Sequence, residues 1–181
     1  MSTTIDGAAE RSFWSNAGEE VSGLAGKYLT FTVANEMLAI GILRVNQIIP
    51  MQEISLIPRM PPFIRGVINL RGMIIPIIDL RKKLDMCCDA DASSSCIVVI
   101  QQETEGGASL SGIVIDEVRE VIEIQKEDIE LPPAFGAGID TAFITGIAKK
   151  EKTVIILIDI VKLLSPSENR TVTELSVPVT S

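Results

Sequence analysis

Few residues of this chain could do chemistry. Asp79 and Asp159 each end one of two similar stretches, FIRGVINLRGMIIPIID and FITGIAKKEKTVIILID, and paired carboxylates can act as a general acid and a general base. The sequence contains no histidine, which removes the commonest general base and the Ser–His and Cys–His nucleophile pairs. Neither a G-x-x-x-x-G-K-[ST] nor a G-x-G-x-x-G phosphate cradle is present.

Two interpretations of the aspartate pair remain. Aspartic proteases bring one carboxylate from each of two lobes to share a proton, and Asp140-Thr141-Ala142 is similar to half of their Asp-Thr-Gly motif. However, Leu80 and Ile160 follow the two aspartates, where such an enzyme has Thr or Ser and then Gly. An aspartate after a strand can instead cap a short helix by accepting hydrogen bonds from its first N–H groups. We favour capping and keep a protease-like enzyme as a remote alternative.

The three cysteines, Cys87, Cys88 and Cys96, do not form a metal-binding pattern. Two of them are adjacent in DMCCDADASSSC rather than two to four residues apart, which argues against zinc. Their odd number fits a reduced, cytoplasmic protein better than a disulfide framework. We therefore expect no metal and no cofactor.

The two aspartates belong to a repeat. Residues 63–80 and 143–160 align without gaps and share six identities: Phe63/Phe143, Ile64/Ile144, Gly66/Gly146, Ile75/Ile155, Ile78/Ile158 and Asp79/Asp159. VNQII at 45–49 similarly resembles VREVI at 118–122. The repeat predicts a duplicated unit in which both copies have the same strand order.

Composition limits the class of protein. The chain has 181 residues, 46% of them hydrophobic, and only 4% are aromatic, so aliphatic side chains that favour strands dominate. A net charge of −8 argues against nucleic acid, because binding phosphates needs clustered Lys and Arg. No apolar run is long enough for a membrane span, and no secretory signal is visible.

Short apolar stretches separated by turn residues predict a mainly β protein with short helices. We expect a domain at 27–164, with subdomain one at about 27–85 and subdomain two at about 96–164. Such small strand-rich units usually close into barrels or sandwiches. The segments 1–26 and 165–181 are polar and unpatterned and are predicted to be disordered tails.

The two copies differ in the middle. Arg71-Gly72 stands in a turn of copy one, where a glycine permits a tight hairpin and fixes where Arg71 emerges. Copy one has Pro76 at the position where copy two has Ile156. Because proline has no N–H to donate to a strand ladder, we expect strand pairing to be interrupted at Pro76.

The phrase GVINLRGMIIPIIDL, with VNQI twenty-one residues before Gly66, closely resembles the CheW family of chemotaxis coupling proteins. The similarity covers about 27–164. It implies two SH3-like five-stranded β-barrel subdomains packed around a shared core. It also implies a non-enzymatic scaffold that joins the cytoplasmic tips of membrane chemoreceptors to the regulatory domain of the chemotaxis histidine kinase CheA. The same module could serve a pathway that controls surface motility or gene expression. The resemblance further implies a cytoplasmic location, contact with the membrane only through receptors, and a monomer when isolated.

Matching positions suggest three groups of site residues. The resemblance implies a receptor-binding or coupling role for Val45, Gln47, Gly66, Arg71 and Gly72, kinase binding for Leu29, Ile42 and Ile57, and a second kinase contact at Phe135 and Glu130. Gln47 stands where the family often has Glu, and Glu130 where a basic residue can accompany the aromatic. Both departures put charge-dependent contacts in doubt. Each group has a purely structural alternative. The three apolar residues could belong to the core, and the two glycines could be required by the backbone conformation. Arg71 could be a solvated charge in a turn.

Overall fold

The computed structural model describes residues 23–86, 94–104, 107–132 and 143–178. Twelve strands, three α-helices and two single-turn 3-10 helices, at Ile42–Arg44 and Lys126–Asp128, lie wholly within these residues. The strands are β1 (Gly26–Val33), β2 (Glu36–Gly41), β3 (Val45–Pro50), β4 (Ile64–Leu70), β5 (Met73–Asp79), β6 (Cys96–Thr104), β7 (Gly107–Ile115), β8 (Glu117–Ile124), β9 (Ile129–Glu130), β10 (Ile144–Lys150), β11 (Thr153–Ile158) and β12 (Val177–Pro178). The helices are α1 (Leu80–Lys83), α2 (Ile160–Leu163) and α3 (Pro166–Leu175).

The strands form two sheets with matching order. The first sheet runs β8-β1-β2-β11-β10-β9, and the second runs β3-β6-β7-β5, with β4 and β12 both pairing with β5. Each sheet therefore has five main strands and one two-residue strand. The prediction of a mainly β protein with two similar subdomains is confirmed.

The repeat in the sequence is a repeat in the structure. β4 pairs with β5 and β10 pairs with β11, and both pairs contain an irregularity at the same place, between Ile64 and Gly66 and between Ile144 and Gly146. β2 and β7 occupy equivalent positions too. β2 pairs in parallel with β11, the second strand of the β10–β11 hairpin, and β7 pairs in parallel with β5, the second strand of the β4–β5 hairpin. The duplication inferred from the shared residues is thus confirmed.

The predicted division of the chain near residue 90 is wrong for the sheets. β1 and β2, from the first half, pair with β8 and β11, from the second half. β6 and β7 conversely pair with β3 and β5. Each sheet is closed by the other copy's first hairpin, so neither half of the chain contains a complete sheet. Sequence order alone does not reveal such an exchange, because it is decided by which strands bury each other's apolar faces.

The predicted C-terminal tail is also wrong. Residues 166–175 form helix α3, which begins with a capping box between Ser165 and Glu168. Val172 on this helix is 2% exposed and belongs to the main core. The helix was not predicted because few of its residues are apolar, so the sequence shows little helical periodicity. Burial of Val172 is enough to dock it against the core.

The predicted N-terminal tail falls mostly outside the described residues. Its last part does not behave as a tail, because β1 begins at Gly26 and Leu24 packs against the core of the first sheet. The backbone carbonyl of Leu24 accepts a hydrogen bond of 2.5 Å from the Tyr28 hydroxyl.

A shared core lies between the sheets, with a smaller apolar cluster within each subdomain. The shared cluster combines β1 and β2 residues with those of β6 and β7. A charged contact joins the two halves of the chain: Arg81 in α1 lies 2.6 Å from Asp116, between β7 and β8. The Asp116 carboxylate also accepts a hydrogen bond from the backbone N–H of Ala34, at the turn from β1 to β2. The exchanged β1–β2 hairpin is therefore held by strand pairing with β8 and β11, by apolar burial and by the Asp116 carboxylate.

Candidate coupling and partner-binding surfaces

The hairpin between β4 and β5 presents Arg71 in a fixed geometry. Arg71 and Gly72 have φ angles of 53° and 86°, the two positive values that a tight two-residue hairpin turn requires. The Asn69 side chain accepts a hydrogen bond of 3.0 Å from the Gly72 backbone N–H. The Arg71 side chain is exposed and has no hydrogen-bond or ion-pair partner among the described residues. A rigid turn thus holds an unpaired cation at its tip.

Gly66 serves the backbone. Its φ is +145°, and a Cβ atom there would lie 2.1 Å from the backbone oxygen of Ser55. Ser55 also exchanges two backbone hydrogen bonds of 2.9 Å with Val67. Gly66 therefore allows the segment before β4 to lie against the strand, and substitution at this position would displace the adjoining residues Leu56 and Ile57.

One row of the second sheet connects two of the predicted coupling residues. Gln47 lies opposite Val99, Val99 opposite Gly112, Gly112 opposite Ile77, and Ile77 opposite Gly66. Gln47 and Gly66 are therefore at the two ends of a single row across four strand pairings.

Val45 lies two residues before Gln47 in β3, opposite Ile100, with an irregularity in the pairing between them. It is half-buried and packs against the shared core. Arg71 and Gly72 extend past this region, at the end of the β4–β5 hairpin. The structure thus puts all five predicted coupling residues on the second sheet but does not gather them into a single patch.

The predicted kinase-binding residues need a correction. Leu29 is only 2% exposed and sits in the shared core, so it is not a surface contact. Ile42 and Ile57 are half-buried, and Ile42 packs against the same core. Their neighbours are the exposed residues: Leu43 is 96% exposed and Leu56 is 84% exposed.

A signal for Leu43 and Leu56 was present in the sequence. Each belongs to an apolar pair, Ile42-Leu43 or Leu56-Ile57, in a segment bounded by turn residues. Leu43 lies in the single-turn 3-10 helix at Ile42–Arg44, where successive side chains point in different directions around the axis. Leu56 lies in irregular backbone, so the pair of apolar residues indicates a contact but not which member is exposed. Such exposed large apolar side chains are features of protein-binding surfaces when they cluster.

Both aspartates cap helices. The Asp79 carboxylate accepts a hydrogen bond of 3.3 Å from the backbone N–H of Lys82, and Asp159 accepts one of 2.9 Å from that of Val161. Asp79 ends β5 and Asp159 directly follows β11, and these two strands belong to different sheets. The capping interpretation is confirmed.

The predicted second kinase contact is only partly described, because Phe135 lies outside the described residues. Glu130 ends β9 and lies opposite Ile147 of β10. Its exposed carboxylate is 3.1 Å from the Lys149 ammonium group. Such an exposed pair adds little stability, so Glu130 remains available to a partner.

A cleft of about 310 Å³ opens between the two sheets, next to residues 23–24. Its walls combine apolar side chains with polar ones such as Arg44 and Asp159, and Gln102 contributes a side-chain nitrogen that is buried without a hydrogen-bond partner. Burial raises the pKa of the Tyr28 hydroxyl, which lines the same cleft. Burial likewise raises the pKa of the Cys96 thiol, although a hydrogen bond with the Val118 backbone opposes the effect.

Within the part of the chain that the structure describes, no group of three or more His, Cys, Asp or Glu residues could hold a metal ion. No described helix is long and apolar enough to cross a membrane.

Duplicated sheets that share one core, with a rigid cationic hairpin and exposed leucines at turns, define a protein-interaction scaffold. A family model described as the CheW-like domain matches residues 27–168. The chain is 37% identical to a chemotaxis protein CheW from Klebsiella aerogenes over 153 residues, covering 82% of this chain and 90% of that protein. It is 33% identical to a chemotaxis protein CheW from Bacillus subtilis, covering 74% of this chain and 83% of that one.

A solved structure agrees. The crystal structure of the scaffolding protein TtCheW from Thermoanaerobacter tengcongensis has a TM-score of 0.66 and 38% sequence identity, and the match covers 75% of this chain and 90% of that one. This chain belongs to the CheW family of chemotaxis scaffold proteins.

Proposed function

We propose that this chain couples membrane chemoreceptors to a chemotaxis histidine kinase of the CheA type, as a scaffold with no reaction of its own. The Arg71 hairpin carries the proposal. It is the place where the two copies of the repeat differ most in their turns, Arg71-Gly72 in one and Glu151-Lys152 in the other, and its arginine is exposed and unpaired among the described residues. Arginine is enriched among the residues that dominate binding energy.

On the receptor side, we assign Arg71 the direct contact and Gly72 the turn that aims it. Gly66 keeps the segment at 54–57 against β4, and Gln47 and Val45 lie in β3, at the other end of the same sheet. Since Gln47 is uncharged, the receptor contact at β3 depends on hydrogen bonding and shape rather than on an ion pair.

On the kinase side, we assign the contact to the exposed side chains of Leu43 and Leu56, whose chain neighbours Ile42 and Ile57 are half-buried. Leu29 belongs to the shared core and has no contact role. Glu130, with Phe135, would provide a second kinase contact, and its acidic charge would require a basic or neutral partner surface. The scaffold would work in the cytoplasm at receptor arrays and would be a monomer when isolated.

Charge reversal of Arg71 tests the proposal. Because Arg71 is exposed and unpaired, Arg71→Glu should leave thermal unfolding unchanged within error. It should reduce receptor-controlled kinase activity in reconstituted arrays at least about tenfold, the effect of losing a strong interface contact. Lys152→Glu, the same change in the equivalent hairpin of the second copy, is the matched control. Full kinase control by the Arg71→Glu protein at wild-type concentration would refute the role of this hairpin.

A further inference from the structure

The second sheet splits at Pro76. On one side of β5, β4 pairs along its whole length. On the other side, β7 pairs in parallel only with Ile77, Ile78 and Asp79. Pro76 has no N–H to continue that ladder, and the start of β5, directly after the Arg71-Gly72 turn, has no β7 partner. The predicted interruption is present beside Pro76, but β11 has Ile156 at the equivalent position and pairs with β2 only at Ile156 and Leu157. The proline alone therefore does not explain the short ladder.

The C-terminal segment fills this split. β12 pairs antiparallel with β5, with Val177 opposite Ile74 and Pro178 opposite Met73. The Ser176 hydroxyl accepts a hydrogen bond of 3.2 Å from the backbone N–H of Leu110 in β7. The segment therefore hydrogen-bonds to both β5 and β7 where these two strands stop pairing with each other.

Helix α3 anchors the segment to the body of the protein. Its capping box fixes where the helix begins, and the Glu168 carboxylate also lies 2.6 Å from the ammonium group of Lys83 in α1. Val172 is buried in the shared core. The family match ends at residue 168, so most of this device lies beyond the region that defines the family.

We propose that residues 165–178 form a C-terminal strap that completes the sheet beside the Arg71 hairpin and so determines how strongly the hairpin couples to a receptor. The inference rests on the proposed function of Arg71. Its physical reason is that a hairpin whose second strand is paired on both sides is held in one position, whereas one paired on a single side moves as an edge. The strap residues are therefore positioning residues and need not touch a partner.

Two variants weaken the contacts of the strap with the sheet while keeping α3. A chain that ends after Leu175 lacks β12, and Ser176→Ala lacks the hydroxyl that accepts from Leu110. Thr153→Ala, which removes an exposed hydroxyl at the start of β11, the equivalent of β5 in the second copy, is the matched control outside the strap. Amide exchange should become on the order of tenfold faster at residues 72–75 and at Leu110, with Ile113 unchanged. Receptor-controlled kinase activity should fall at least about fivefold, while affinity for the isolated kinase regulatory domain stays the same.

Unchanged exchange at residues 72–75 would overturn the strap, and so would faster exchange with full coupling. If the shortened chain loses its cooperative melt, Ser176→Ala carries the same two criteria in a full-length protein. Failure of the wild-type chain to confer receptor control would instead refute the proposed function. The exchange data separate these two failures, because they need no partner.

Discussion

Replacing Leu29 and Leu43 in turn distinguishes core from partner surface. Leu29 is 2% exposed, so Leu29→Ala should remove about 2–5 kcal/mol of stability, the usual cost of truncating a buried leucine. Leu43 is 96% exposed, so Leu43→Asp should change the free energy of unfolding by less than about 0.5 kcal/mol. The two leucines should therefore respond in opposite ways.

Binding completes the comparison. If Leu43 or Leu56 is buried by the kinase regulatory domain, each loses about 1.5–3 kcal/mol of apolar burial on replacement, which is roughly a tenfold to hundredfold weaker Kd. Titration calorimetry with that domain, read beside denaturant unfolding of each variant, measures both quantities. Val121→Asp, an exposed apolar position on β8, is the control and should leave both unchanged.

Two results would refute this reasoning. Unfolding of the Leu43→Asp and Leu56→Asp proteins would show that these side chains belong to the core. Stable variants that bind the kinase domain with wild-type affinity would show that the exposed leucines are not the contact, although the family assignment would remain.

Two further predictions concern stability. Asp79→Ala and Asp159→Ala should each cost about 0.5–2 kcal/mol in denaturant unfolding, with Asn at either position retaining most of the cap; equal stability of the Ala variants would contradict capping. Burial alone would raise the pKa of Glu168, but hydrogen bonds from Lys83 and Ser165 outweigh it and hold that pKa below its ordinary value of 4.5. Since the folded pKa is the lower one, this stabilisation is present above pH 4.5 and is lost as the pH falls through the folded value. Melts of the wild type and Lys83→Met should therefore converge below pH 4.5, and a constant difference would refute the ion pair.

Much of the fold could be predicted from the sequence because local rules govern it. The alternation of aliphatic residues indicated strands, the Gly72 turn indicated a hairpin, and Pro76 indicated an interrupted ladder. The two aspartates were predicted as caps because a carboxylate after a strand has few other local partners. The helix α3 was missed, since its stability depends on Val172 meeting a core that the local sequence does not show.

The sequence by itself determined the duplication, the hairpins and the family, because each is written in residue types at fixed spacing along the chain. Only the tertiary structure decided which copy supplies which strand to each sheet, which residue of each apolar pair faces outward, and what covers β5 beside Pro76. Those outcomes depend on contacts between residues far apart in sequence. Burial of Leu29 and exposure of Leu43 follow from such contacts, and neither follows from the apolar character that the two leucines share.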